Sequence, residues 1–169
     1  MKEIKTEAMK NKQIIRLFLD FDGTLSDWLK GCCKVCDIDT EDKEIRDKLK
    51  TGIELQDLGS VSATEMWKKI EDIGSKWWEE LEKLPWADKL VDFCKDFGEV
   101  CFLTSPGDME KWPRNVPYAA HGKFIWGNRH FPSIPLIIAH KKHLCASPNT
   151  ILIDDSEKKV KEFEKAGVN

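Results

Sequence analysis

No stretch of this chain reaches the roughly 18 consecutive apolar residues that a membrane-spanning helix needs. The N-terminus is Lys- and Glu-rich rather than apolar, so no secretory leader is expected and a cytoplasmic address follows by default. Positive charge is not in excess: 27 basic against 30 acidic side chains leave a net charge of −3. That balance, with a pI near 5.9, argues against sequence-independent binding of duplex nucleic acid. A small anionic substrate remains compatible, because a local site can be positive on an acidic protein. Internal repeats and low-complexity tracts are missing, and His121, His130, His140 and His143 fall in no ligand spacing, which makes them surface or loop residues.

What is present suits one domain with room for a helical insertion: 169 residues, 41% hydrophobic and 34% charged. Six cysteines are spread along the chain, and Cys33 and Cys36 have C-x-x-C spacing without a second pair or a neighbouring His. Reduced thiols used as small hydrophobes are the first expectation, with a redox or zinc role for Cys32, Cys33 and Cys36 as the alternative.

Hydrophobic patterning predicts strands over 14–19 (IIRLFL), 100–103 (VCFL), 134–138 (IPLII) and 151–153 (ILI). Three- and four-residue apolar spacing predicts helices near 27–36, 42–50, 63–72, 75–84 and 87–97, then over 116–130 and 157–166. Ser62 or Ala63 opens one helix, Pro85 separates two others, and Gly98 closes a third as a C-cap. Residues 1–12 read as a polar lead-in. Apolar strands alternating with helices imply an α/β fold, a parallel sheet with helices on both faces. In such sheets the site lies at the carboxyl ends of the strands.

Polar groups stand at those ends: Asp20 with Asp22, Thr104 with Ser105, Asp154 with Asp155, and Lys141 with Lys142 shortly after the strand at 134–138. Four carboxylates on one edge repel each other without a cation. Aspartate oxygens unaccompanied by His or Cys favour a hard ion, and Mg²⁺ suits them together with a substrate phosphate. A carboxylate such as Asp20 can attack phosphorus, and Asp22 can give and take the proton. Gly23 supplies backbone freedom for the turn, while Thr104, Ser105 and a lysine can bind phosphate oxygens. As plain structure, the same residues could be helix caps and turns.

The segments LFLDFDGTL, CFLTS, a lysine, and ILIDD, in that order, resemble the four motifs of the haloacid dehalogenase-like phosphohydrolases. The resemblance covers most of residues 14–166 and implies a Rossmann-like core of residues 13–25 and 87–169, with a small helical cap over 26–86. It implies that Asp20 is the phosphorylated nucleophile and Asp22 the general acid/base. Asp22 would also lend its backbone carbonyl to Mg²⁺. Asp155 would be a metal ligand with Asp154 beside it. Gly23, Thr24, Thr104 and Ser105 would bind phosphate, joined by Lys142 in preference to Lys141.

TSP after the second strand, the DD ending and WWEELEKLPWADKL are similar to the 5′(3′)-deoxyribonucleotidase branch. That likeness implies a nucleoside monophosphate substrate, with Trp28, Trp77 and Trp78 as candidates for holding the base. Adjacent on a helix, Trp77 and Trp78 diverge by about 100°, so at most one is expected to face the substrate. Related proteins continue into another strand where this sequence ends at Asn169. A sheet one strand short, or a fold completed by a partner, is therefore expected; a homodimer is a separate expectation. Sugar phosphates, nucleic-acid terminal phosphates and a silent binding module on the same fold are the alternatives.

Overall fold

The computed structural model describes residues 15–43, 45, 47 and 62–167. Four parallel strands form the sheet: β1 (Arg16–Leu19), β2 (Glu99–Thr104), β3 (Leu136–Ile138) and β4 (Thr150–Ile153), in the order β3-β2-β1-β4. The helices are α1 (Trp28–Val35), α2 (Ala63–Ile73), α3 (Ser75–Glu79), α4 (Ala87–Phe97), α5 (Asn115–His130) and α6 (Glu157–Gly167), with a 3₁₀ turn at Lys142–Cys145. This is the expected α/β arrangement. The helix expected over 42–50 and the lead-in over 1–12 lie largely outside the described residues.

The near-continuous apolar strands are explained by burial on both faces. Leu17 and Leu19 of β1 and Phe102 of β2 pack toward α4 (Ala87, Val91, Cys94) and α5 (Ala119, Trp126). Phe18, Cys101, Leu103 and Leu152 pack on the other face against Phe163 of α6. Leu19 and Phe102 are fully buried; such a side chain contributes roughly 1.5–3 kcal/mol. Cys32, Cys33, Cys36, Cys94 and Cys101 are buried free thiols. Burial pushes the Cys33 thiol up to about 11, so these are packing residues at neutral pH. No helix among the described residues is long and apolar enough to cross a membrane.

Local signals fix the helix ends. Asp27 caps α1, accepting from the Lys30 N–H at 2.9 Å. Ser62 and Glu65 form a reciprocal capping box on α2. Gly98 closes α4, its N–H bonding the Cys94 carbonyl.

Among the described elements α3 departs most from expectation: the apolar spacing predicts a helix near 75–84, and it stops at Glu79. Residues 82–84 instead run against the turn after β1. The Asp27 N–H donates to the Glu82 carbonyl and the Leu84 N–H to the Leu25 carbonyl, each at 2.8 Å, with Ser26 bridged to Lys83 between them. Tertiary backbone pairing outweighs a weak helical preference there. The helical segment thus leaves the sheet and returns to it at one place.

Candidate active site

β1, β2 and β4 end on the same side, and their register sets Leu19 beside Phe102 and Ile153. The next residues carry the chemistry. The Asp20 N–H still donates to the Ile153 carbonyl at 2.9 Å, which fixes Asp20 at the β1/β4 crevice. The chain then turns sharply. The N–H groups of Thr24, Leu25 and Ser26 all point at the Phe21 carbonyl, and Gly23 takes φ +72°, a conformation only glycine adopts freely. This turn presents Asp22 back toward the sheet edge.

Asp20 is 1% exposed. Lys142 extends its ammonium between two carboxylates, 2.7 Å from Oδ1 of Asp20 and 2.6 Å from Oδ2 of Asp154. Lys159, on α6, stands 3.5 Å from Oδ2 of Asp20 and 3.6 Å from Oδ1 of Asp154. Burial alone would raise the Asp20 pKa; the ammonium groups of Lys142, Lys123 and Lys159 outweigh it and hold the carboxyl below its ordinary value. A buried, ionised carboxylate at a strand end is suited to nucleophilic attack.

Asp155 behaves oppositely. Partial burial, followed by the charges of Asp20, Asp154 and Asp22, pushes its carboxyl up to about 6. Asp20, Asp154 and Asp155 each offer an oxygen, and these lie within 4.8 Å of one another. An all-oxygen, all-carboxylate donor set with one member held against its charge fits a hard divalent cation such as Mg²⁺. The backbone makes room for the Asp155 carboxylate: a Cβ on Gly23 would stand 2.0 Å from its Oδ2. Asp154 is more fully engaged, accepting from the Ser156 N–H at 2.9 Å as well as from Lys142. Asp155 is the more open of the two.

Thr104 is completely buried at the end of β2, and the Ser105 hydroxyl accepts from the Gly107 N–H at 3.3 Å. The Thr24 hydroxyl is buried without a partner among the described residues. Of the two candidate lysines, Lys142 is buried at the carboxylates and Lys141 faces solvent.

Two lysines at this site fall outside the sequence-based candidates: Lys159, already placed beside Asp20 and Asp154, and Lys123. Lys123 of α5 is 3% exposed and ion-pairs with Oδ2 of Asp22. Its ammonium also donates to Oγ1 of Thr104 at 3.2 Å and to the Ser105 carbonyl at 2.6 Å. A signal for it existed: Val116, Ala119, Lys123 and Trp126 share the buried face of α5, so the lysine interrupts an apolar stripe.

The sequence matches the family described as 5′ nucleotidase, deoxy (pyrimidine), cytosolic type C protein over residues 12–168. The chain belongs to that nucleotidase family. It is therefore a phosphatase of the nucleotidase kind. Among solved structures it is similar to the HAD-hydrolase YfnB from Bacillus subtilis, bound to magnesium. The identity is 14%, over 92% of this chain and 85% of that one, with a TM-score of 0.51. A haloacid dehalogenase-like family hydrolase from Xanthomonas campestris has 15% identity over 93% and 80%, also at 0.51. At such identity these two show the HAD-like fold alone. A comparison with curated proteins finds no significant match.

For a nucleotidase the surroundings of the carboxylates decide what else is bound, and here the tryptophans separate. Trp78 is 2% exposed and lies under Lys123, whose Nζ is 4.8 Å from its ring centroid. Trp77 instead lines a separate cavity of about 290 Å³ with Val35, Ile73 and Leu81, bordered by none of the site carboxylates. Trp28 reaches the aromatic cluster through Trp67, ring centroids 6.3 Å apart. Trp67 is the hub, stacked on Trp78 at 6.3 Å and on Trp112 at 5.8 Å. Neither Trp67 nor Trp112 was singled out from sequence; both are partly exposed, whereas Trp77 and Trp78 are buried.

Proposed function

We propose that this nucleotidase hydrolyses its phosphomonoester through a phosphorylated Asp20, with Mg²⁺ as its metal. Deoxyribonucleoside 5′- or 3′-monophosphates are its first-choice substrates. The observation that supports this most is the division of labour around Asp20: a buried ammonium, Lys142, on one oxygen, and the raised, open carboxyl of Asp155 on the cation side.

In the first half-reaction a carboxylate oxygen of Asp20 attacks phosphorus in line. The Asp20–phosphorus bond forms as the ester P–O bond breaks, and the leaving oxygen takes a proton from the Asp22 carboxyl. In the second, the Asp22 carboxylate takes a proton from water as that water attacks phosphorus. The bond to Asp20 breaks and inorganic phosphate leaves. Thr104, Ser105 and Lys142 supply donors to the phosphoryl oxygens. Asp20, Asp155 and the Asp22 carbonyl, supported by Asp154, would hold Mg²⁺, which would supply electrostatic stabilisation of the charge on the transferring group.

In this reading residues 26–86 act as a cap carried by the core of residues 13–25 and 87–169. The cluster of Trp28, Trp67, Trp78 and Trp112 meets the site at Lys123, the ion-pair partner of Asp22, which lies over the Trp78 ring. Flat aromatic faces beside a phosphate site suit a nucleobase. A cytosolic setting accords with the family's description.

The test is steady-state kinetics with Mg²⁺ on deoxyribonucleotides, ribonucleotides and sugar phosphates, beside an Asp20→Asn variant. Deoxyribonucleotides are expected to be turned over fastest, and Asp20→Asn to be inactive but folded. Equal rates across the panel would overturn the substrate assignment, and substantial activity in Asp20→Asn the mechanism.

A further inference from the structure

Lys123 has three N–H donors, and all three are committed: to Oδ2 of Asp22, Oγ1 of Thr104 and the backbone carbonyl of Ser105. Trp78 covers it with a ring face. No donor is left for a phosphate oxygen, so this buried charge is not arranged as a direct ligand. Nor is it arranged mainly for stability, since buried ion pairs are commonly matched by apolar side chains of similar size.

Its partner explains it better. Among the described residues, the Asp22 side chain has besides Lys123 only the Ser26 hydroxyl, at 3.3 Å, and it remains 26% exposed. A short side chain on a tight turn with one weak tether would sample several rotamers. Lys123 ties it to the end of β2, the strand hydrogen-bonded beside β1.

Resting on the phosphatase reading above, we propose that Lys123 is a positioning residue, aiming the Asp22 carboxyl at the leaving-group oxygen during transfer to Asp20. Its own aim is set from the helical segment. Gly122 has no Cβ, and one placed there would stand 2.5 Å from both the Ser75 carbonyl oxygen and Cβ of Trp78. That close approach of α3 to α5 is what brings the Trp78 ring against the ammonium. Lys123 therefore joins the helical segment to the proton-transfer step without touching substrate.

The consequence depends on the leaving group. A nucleoside alkoxide needs the proton as the P–O bond breaks, whereas 2,4-dinitrophenolate leaves without it. The readout is kcat/KM, which covers transfer to Asp20 and excludes the later hydrolysis. We would measure it for a deoxyribonucleoside 5′-monophosphate and for 2,4-dinitrophenyl phosphate.

The ratio of the two is expected to fall roughly 30-fold or more in Lys123→Met, as in Asp22→Asn. Lys123→Arg should restore part of it, and Lys123→Met combined with Asp22→Asn should lose no more than Asp22→Asn alone. Should Lys123→Met fail to fold, Lys123→Gln, which keeps a donor, carries the same comparison. Equal losses on both esters, or additive losses in the double variant, would overturn the inference. Wild-type protein silent on both esters would instead overturn the phosphatase reading beneath it.

Discussion

Gly23 and Asp155 occupy one shared volume: a Cβ on the glycine would lie 2.0 Å from Oδ2 and 2.6 Å from Cγ of the aspartate. The turn after β1 and the end of β4 are therefore fitted to each other, and Asp155 keeps its place because residue 23 has no side chain. Gly23→Ala is expected to displace Asp155 and to weaken Mg²⁺ binding by about tenfold or more, as judged by calorimetric titration. The φ of +72° adds a stability loss of roughly 1–2 kcal/mol, visible in chemical denaturation.

Asp155 also makes stability depend on pH. Its carboxyl titrates at about 6 in the folded chain, above the roughly 3.9 of an unfolded one. Its contribution is therefore fully present below the unfolded value and is lost as the pH rises through 6. Metal binding offsets that loss, because it compensates the charge that burial and Asp20 oppose. Mg²⁺ should accordingly raise the melting temperature more at about pH 8 than at about pH 5. An equal or reversed increment would count against Asp155 as a ligand.

Two adjacent lysines should separate sharply. Lys142→Met removes the ammonium shared by Asp20 and Asp154 and should lower kcat by roughly a hundredfold or more. Lys141→Met, at an exposed position, should leave kcat within about twofold. Matched kinetics on the two variants checks both.

Trp67 offers the corresponding test for the base. Removing the hub of the stack with Trp67→Ala should raise KM for a nucleoside monophosphate by roughly tenfold. KM for a phosphate ester without a ring should move little. A uniform change across both substrates would mean that the cluster serves packing alone.

Much of this arrangement was legible before any coordinates. Asp20, Thr104 and Asp154 terminate apolar runs, and parallel strands put such residues on one edge, so the register needed only the topology. The motif resemblance favours Lys142 over Lys141 in the sequence, whereas the physical reason, the inward turn of Lys142 at the start of the 3₁₀ turn Lys142–Cys145, belongs to the fold. Lys123 is buried by the α5 stripe, a pattern visible in sequence, but its meeting with Asp22 spans 101 positions and follows from tertiary packing. Trp67 and Trp112 became partners in the same way, through α2 lying near the segment that leads into α5. The truncation of α3 has a different origin, since backbone pairing of 82–84 with 25–27 has no side-chain signature.

That pairing has a further consequence, for how such a chain can change. Because the polypeptide departs and re-enters through neighbouring, hydrogen-bonded residues, the turn after β1 is closed at its base independently of the length of chain between Asp27 and Glu82. Loop-closure entropy grows only logarithmically, by about 0.6 kcal/mol per doubling of length. Length can therefore change within the segment at little cost only where it does not pack on α5; α3 and Leu81 just after it are held by the close approach at Gly122 and by the Trp126 indole donating to the Leu81 carbonyl. Changes of substrate choice must then pass through the packing of α3 on α5, where Trp78 lies against Lys123 and Gly122 meets Ser75.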